Sequence, residues 1–136
     1  DMRRAIAELA VTCDIDGLAD LARPGGFEWS GNPNAPGDPA EYWRQIEPGV
    51  GALAAMVDLL SLRPAATEID GEQVWVWPAA GAYDSWAETP AGDREDLIGY
   101  FTGEDLARFE MEDSYLGQSL GVAEDGDWRW LILPGN

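Results

Sequence analysis

The amino-acid sequence predicts an α+β fold in which helices pack on one antiparallel sheet of about five strands. Three observations carry this prediction. Several segments repeat apolar residues at helical spacing, two pairs of β-prone segments flank an Asp-Gly turn, and helices and strands do not alternate strictly. The 136 residues match the commonest domain size, so we expect a single domain over residues 1–136.

The first half of the chain is predicted to be mostly helical. Residues 2–10 and 17–22 carry apolar side chains on one helical face. Residues 40–46 follow an Asp-Pro pair, which is typical of a helix start. Residues 50–62 give the clearest helix, because four apolar residues recur at the spacing of a buried face: Leu53, Met56, Val57 and Leu60.

The strands are predicted at residues 27–29 and in two hairpins. Residues 68–78 turn at Asp70-Gly71 and contain the strongest strand pattern of the chain, Val-Trp-Val-Trp. Residues 120–123 and 128–132 form the second hairpin around another Asp-Gly pair.

The remaining segments are predicted to be loops and two further helices. Residues 30–37 are rich in Pro, Gly and Asn, which favours a loop, and residues 79–93 form a second, longer loop. Helices are expected at 94–101 and 103–111, where Thr102 and Asp105 approximate a capping box.

The charge composition excludes several classes of function. Eight basic and 26 acidic residues give a formal net charge of −18, and such a surface repels phosphate backbones, so we expect no nucleic-acid partner. The acidity either keeps the protein in solution or attracts a cationic partner. All eight basic residues are Arg and there is no His, which excludes lysine nucleophiles, histidine triads and histidine metal sites within this chain. No apolar run is long enough for a membrane-spanning segment.

Carboxylates are so frequent that no pair of them identifies a catalytic site, and the catalytic residues stay unassigned. Asp14, Asp16 and Asp20 could chelate calcium, but they lack EF-hand spacing and are better explained by helix capping. Residues 124–127 fit ordinary turn chemistry. The sequence therefore predicts no metal site and no cofactor.

Four tryptophans lie in the predicted hairpins. Trp75 and Trp77 are two residues apart, so we expect them on one face of a strand, and Trp128 and Trp130 repeat this spacing. Together they form either the hydrophobic core beneath the helices, which we favour, or an aromatic platform for a ligand.

The candidate ligand-binding residues are aromatic residues next to loops. Tyr83 and Trp86 lie in the loop 79–90 and are the first choice, because an exposed loop aromatic is a stronger functional signal than a core aromatic. Tyr42 and Trp43, which follow the proline-rich loop, are the second choice. The ligand classes expected at such a surface are a peptide, a glycan or a small apolar ligand.

Cys13 is the one cysteine of the chain, so no intrachain disulfide can form. It follows an apolar run and continues the apolar face of the first helix. We therefore expect it to be a small buried hydrophobic residue.

Two stretches carry a family resemblance. Residues 5–30, with the run Asp-Gly-Leu-Ala-Asp-Leu-Ala-Arg-Pro, and residues 117–133, with Trp-Arg-Trp, resemble the first helices and last strands of small uncharacterised bacterial domains from secreted or lipid-anchored proteins. Such domains are similar to the NTF2-like (cystatin-like) group, in which helices pack on a curved antiparallel sheet around a pocket. The resemblance covers about a third of the chain, departs from the NTF2-like pattern in the middle, and carries no catalytic residue.

The resemblance implies a bacterial protein located outside the cytoplasm, and the cytoplasm is the alternative. The chain starts with Asp1 rather than Met, which fits an upstream signal peptide or lipid anchor that has been removed. Our first hypothesis is a non-catalytic accessory or ligand-binding domain. The alternatives are an NTF2-like pocket enzyme with a carboxylate general base, and an acidic inhibitor or immunity-type protein that covers a cationic partner.

Overall fold

The computed structural model describes residues 1–23, 27–28 and 37–133, and this part of the chain has the predicted α+β fold. Within these residues, six α-helices and one 3₁₀ helix accompany a four-stranded antiparallel sheet. The elements in chain order are α1 (Met2–Val11), α2 (Ile15–Ala22), α3 (Pro39–Val50), α4 (Ala52–Ser61), β1 (Ala65–Ile69), β2 (Glu72–Trp77), the 3₁₀ helix (Ala79–Ala82), α5 (Ala91–Glu95), α6 (Gly103–Glu112), β3 (Ser119–Ala123) and β4 (Trp128–Ile132).

The four strands follow one another in the sheet in chain order, β1-β2-β3-β4, and each pair is antiparallel. Both predicted hairpins are present. At the first turn Asp70 and Gly71 have φ of 52° and 82°, the positive values that a two-residue type I′ turn requires. Of the strand predicted at 27–29, Glu28 forms a single parallel bridge to Trp130, while Trp29 and most of the loop 30–37 lie outside the described residues.

Hydrophobic side chains cover both faces of the sheet. On one face, α1 to α4 pack over the larger cluster, which takes Trp77, Leu120, Trp128 and Leu131 from the strands. On the other face, Gly81 of the 3₁₀ helix lies against Val76, and a smaller cluster follows beneath α5 and α6. The sheet is thus the middle layer between a large and a small helical layer.

Three of the strand tryptophans lie on the face of the larger cluster, because Trp75 and Trp128 both pair with Val122 and Trp77 pairs with Leu120, and Trp130 lies on the opposite face. Trp77 and Trp128 are buried in the larger cluster, which agrees with the core interpretation, whereas Trp75 is 42% exposed. The expectation that Trp128 and Trp130 share a face is wrong. Val122 pairs with Trp128 and Gly121 with Trp130, so a β-bulge leaves Arg129 as an extra residue and places the two indoles on opposite faces.

Cys13 is exposed, contrary to the prediction. Helix α1 ends at Val11, and Cys13 has a φ of 59° in the turn that leads to α2. This turn takes the residue off the helical face that buries Ile6 and Ala10, so its thiol meets solvent instead of the core.

Two helix boundaries differ from the prediction, and glycines explain both. Helix α3 continues through Pro48 to Val50, and the chain changes direction at Gly51, whose φ is 70°. The helix predicted at 94–101 ends at Glu95 as α5 and is followed by turns around Gly99, whose φ is 89°.

Tyr115 makes the stability of the fold depend on pH in the alkaline range. Its hydroxyl donates a hydrogen bond to the backbone oxygen of Gln118, and burial, with a smaller contribution from Tyr100, raises the pKa of Tyr115 well above its ordinary value. Above pH of about 10 the unfolded chain loses this proton while the folded chain keeps it, so stability falls as pH rises, by up to about 1.4 kcal/mol per pH unit. Below about pH 10 both states keep the proton and the contribution is constant.

We expect the free energy of unfolding of Tyr115→Phe to fall less steeply with rising pH than that of the original chain. Urea unfolding at pH 9 to 11.5 measures this difference. The variant loses the hydrogen bond at every pH, so its stability at pH 7 serves as the reference point. An equally steep loss in Tyr115→Phe would show that other groups dominate.

Candidate functional site

The candidate site is a groove of about 500 Å³ between α5 and α6, with one wall from the loop that precedes α5. Its volume lies in the range of ligand-binding clefts. The lining residues are Trp86, Ala91, Arg94, Glu95, Ile98, Gly103, Leu106, Ala107 and Glu110.

A local sequence signal fixes the start of α6, one of the two helices of this groove. Thr102 caps α6 by accepting a hydrogen bond from the backbone N–H of Asp105 at 3.1 Å, as the capping pattern predicts. Beneath the groove, Phe109 of α6 and Leu97, which follows α5, are buried together in the smaller cluster. The groove therefore lies on a packed base rather than on a free loop.

Trp86 is a wall of the groove and is 7% exposed. Its ring lies 5.5 Å from that of Phe109 between centroids, and its backbone N–H donates to the oxygen of Asp113 at 3.1 Å. The sequence analysis expected an exposed aromatic here, and the structure instead places most of the indole surface in the smaller cluster.

Ile98 provides the accessible apolar surface of the groove, since 69% of the residue is exposed. It stands beside Leu106 and Ala107 of the facing helix in the lining. Sequence reasoning missed this residue. An adjacent Leu-Ile pair in a predicted helix does not show which member is buried, and in the structure the buried one is Leu97.

Charged groups of both signs border the apolar surface. Arg94 forms no ion pair within the described part of the chain, and its Nε is buried without a hydrogen-bond partner. The side chains of Glu95 and Glu110 are exposed at the rim. A ligand in this groove would meet an apolar floor, two carboxylates and one guanidinium.

Tyr83 lies next to α5 but is absent from the groove lining. Its hydroxyl donates to Asp93 Oδ2 at 3.4 Å, and partial burial followed by the charge of Asp93 raises the pKa of Tyr83. Arg63 reaches the same segment, with Nε 2.7 Å from Asp96 Oδ2. The contacts of Tyr83 therefore join its loop to α5 and steady one side of the groove.

Tyr42 and Trp43 lie in the larger core, away from the groove lining. Both are buried, and the Trp43 ring stacks on that of Trp128 with centroids 5.5 Å apart and meets Phe27 edge-on at 5.9 Å. The structure thus brings Trp86 to the groove and Tyr83 beside it, and buries Tyr42 and Trp43 in the larger core.

A second groove of about 580 Å³ lies on the sheet face near the first hairpin. Its cation is already neutralised, because Arg129 forms ion pairs with Glu72 at 2.9 Å, Asp125 at 3.2 Å and Asp127 at 3.7 Å. This groove offers less apolar surface than the α5–α6 groove, and its Arg129 is already engaged in ion pairs.

Two further properties bear on the chemistry of the described residues. Within residues 1–23, 27–28 and 37–133, no group of three or more Asp, Glu or Cys side chains converges as metal ligands, and Thr89 is the only polar or charged residue that is buried. None of the described helices has the length and apolar content needed to cross a bilayer.

No protein-family description matches this chain, and no curated protein or solved structure shows a significant similarity to it.

Proposed function

We propose that this protein is a non-catalytic binding domain whose α5–α6 groove holds an apolar side chain of a basic polypeptide. The observation that carries the proposal is the exposed Ile98 at an apolar-lined groove. An apolar residue of this size left in water gains about 1.5–3 kcal/mol when a partner covers it fully.

The charge distribution selects the partner chemistry. Glu95 and Glu110 stand at the rim, and the chain as a whole carries a formal charge of −18. A partner with basic residues beside its apolar one meets a favourable field during approach and carboxylates on contact. Arg94 forms no ion pair within the described residues, and its guanidinium suits a neutral acceptor such as a peptide carbonyl, so a polypeptide satisfies all three parts of the groove.

A pocket enzyme with a carboxylate general base is the weaker candidate. Such a base needs an enclosed site that shields it from water. Among the described residues no carboxylate side chain is buried, and the carboxylates at the groove are exposed. A glycan or small apolar ligand would use the groove floor but leave the acidic rim without a role.

The acidic inhibitor or immunity-type function is the second candidate, and the net charge favours it. It shares a cationic partner with the first proposal and differs in where the partner binds. If the partner binds across a broad acidic surface, its affinity falls steeply with salt concentration and changes little when Ile98 is replaced. If it binds in the groove, its affinity depends on both salt and Ile98.

Location outside the cytoplasm of a bacterium and membership of the NTF2-like group stay predictions of the sequence resemblance. The sequence upstream of Asp1 in the gene checks the first of these. A signal peptide ending in a lipidated cysteine there would support it, and a cytoplasmic fusion partner would contradict it.

The groove is tested with an amphipathic helical peptide of leucine and lysine, titrated into the whole chain by isothermal calorimetry. We expect Ile98→Gln to weaken binding about tenfold or more, since about 1.4 kcal/mol of lost burial corresponds to a factor of ten. Val11→Gln is the matched control, because Val11 on α1 is 68% exposed and lies outside the groove.

Two results would contradict the proposal. One is an equal effect of the two glutamine variants on binding, which would place the peptide elsewhere. The other is equally tight binding of a leucine and glutamate peptide of the same pattern, which would remove the role of the acidic rim. Binding that ignores Ile98→Gln but collapses in salt would favour the inhibitor function.

A further inference from the structure

Strand β1 lies at one end of the sheet, and its outer edge has no partner among the described residues. The opposite end is different. There, Glu28 pairs with β4, donating its N–H to the oxygen of Arg129 at 2.9 Å and accepting from the N–H of Leu131 at 3.0 Å. Within the described residues, Glu28 thus occupies part of the β4 edge, and no strand lies beside the β1 edge.

The turn geometry shows which backbone groups of β1 face outward. Ile69 pairs with Glu72 across the two-residue turn at Asp70-Gly71, and in such a turn the two flanking residues hydrogen-bond to each other, so the backbone of Ile69 points toward β2. Backbone direction alternates along an antiparallel strand. Ala66 and Glu68 therefore point their N–H and C=O groups away from the sheet, and both residues are exposed.

Two side chains beside this edge are suited to a partner strand. Trp75 on β2 stands directly opposite Ala66 and keeps 42% of its surface exposed. Because the Ala66 side chain is a single methyl group, a large side chain on an added strand could reach the indole across it. Glu68, on the same face as Ala66, places a carboxylate at the edge.

We propose that the β1 edge binds an extended basic segment of another polypeptide, which adds to the sheet as a fifth strand. Ala66 and Glu68 supply four backbone hydrogen-bonding groups, Glu68 pairs with a basic side chain, and Trp75 receives an apolar one. A second copy of this chain is a poorer occupant, because two chains of charge −18 repel each other.

This site does not depend on the α5–α6 groove, since neither β1 nor Trp75 contributes to the groove lining. The contact is also of a different kind. The groove binds a side chain of its partner, whereas the edge binds a backbone. Experiments can therefore support or contradict binding at one site independently of the other.

The test uses an acetylated heptapeptide amide, Lys-Val-Lys-Thr-Leu-Val-Lys, and amide hydrogen exchange of the whole chain by NMR. At nine-tenths saturation we expect exchange at Ala66 and Glu68 to slow about tenfold, since each protected amide exchanges only from the unbound tenth. The control peptide has the same sequence with N-methyl groups on its third and fifth residues, which removes the donors to the edge and keeps side chains and charge. It should give no protection.

A variant adds an independent check. Ala66→Pro removes an outward N–H at an edge position, where proline is tolerated, so it should abolish the protection at Glu68 and keep the melting temperature near that of the original chain. If it unfolds, the N-methyl comparison on the original chain decides. Ile98→Gln should leave the effect unchanged.

Three results would overturn the proposal. They are equal binding of the N-methylated peptide, binding without protection of Ala66 and Glu68, and protection that rises with protein concentration in the absence of peptide. The last result would mean that a second copy occupies the edge.

Discussion

Trp43→Ala is expected to lower the free energy of unfolding by about 3–5 kcal/mol, the range for removal of a buried tryptophan. Trp43 is 0% exposed, and its ring contacts Trp128 and Phe27, so the alanine leaves a cavity where α3 meets β4. The indole N–H has no partner in the described part of the chain, so the variant loses packing but no hydrogen bond. Urea unfolding followed by far-ultraviolet circular dichroism measures the change.

The matched control is Trp75→Ala, which removes the same side chain from a position with 42% exposure. We expect this variant to lose about 1 kcal/mol or less, because much of the ring already meets solvent. Equal losses in the two variants would contradict the assignment of Trp43 to the core. They would also reopen its role as a ligand-binding residue.

Gly121→Ala is expected to destabilise the protein by about 1–3 kcal/mol through overpacking. A methyl group at Gly121 would lie 2.5 Å from the Trp130 ring, closer than carbon atoms approach in proteins. The ring cannot easily move, since its Nε1 donates to Ser119 Oγ at 3.1 Å. Thermal unfolding monitored by circular dichroism reports the loss as a lower melting temperature.

Gly103→Ala provides the comparison, because nothing lies within 4 Å of a methyl group there and the residue opens α6. That change should be neutral or slightly stabilising. Adding Trp130→Leu to Gly121→Ala should cost less than the two single losses together, since the smaller side chain frees the space for the methyl. Strict additivity would show that the ring is not the obstacle.

Local chemistry explains what the sequence predicts correctly about the fold. The Asp70-Gly71 hairpin is confirmed because an Asp-Gly pair accepts the two positive φ values that a tight turn needs. The sheet position of Val74 to Trp77 and the start of α6 at its Thr102 cap are confirmed for equally local reasons. Each signal lies within a few residues of the structure that it specifies.

The errors arise where distant segments decide the outcome. The spacing of two residues between Trp128 and Trp130 could not show that they lie on opposite faces of β4. The β-bulge that separates them depends on how β3 pairs with β4 at Gly121 and Val122. The helix predicted at 94–101 ends early because turns form around Gly99, which has a positive φ. The spacing of apolar residues that predicted this helix gives no information about such a backbone conformation.

The candidate site was predictable only in part. The predicted aromatic loop lies beside α5, where Trp86 lines the groove and Tyr83 donates a hydrogen bond to Asp93, and its role in binding stays a prediction. The sequence could not identify Ile98 as the exposed member of its pair, nor show that Arg94 has no ion pair within the described residues, because both facts depend on how the segments around α5 and α6 pack.

The turn between α1 and α2 has a practical consequence. Cys13 is the sole thiol of the chain and faces the solvent. A maleimide fluorophore or nitroxide spin label would therefore attach at one defined atom, without any prior mutagenesis to remove competing sulfur. Distances from that label to a tagged peptide would report directly whether a ligand sits in the groove or along the strand edge.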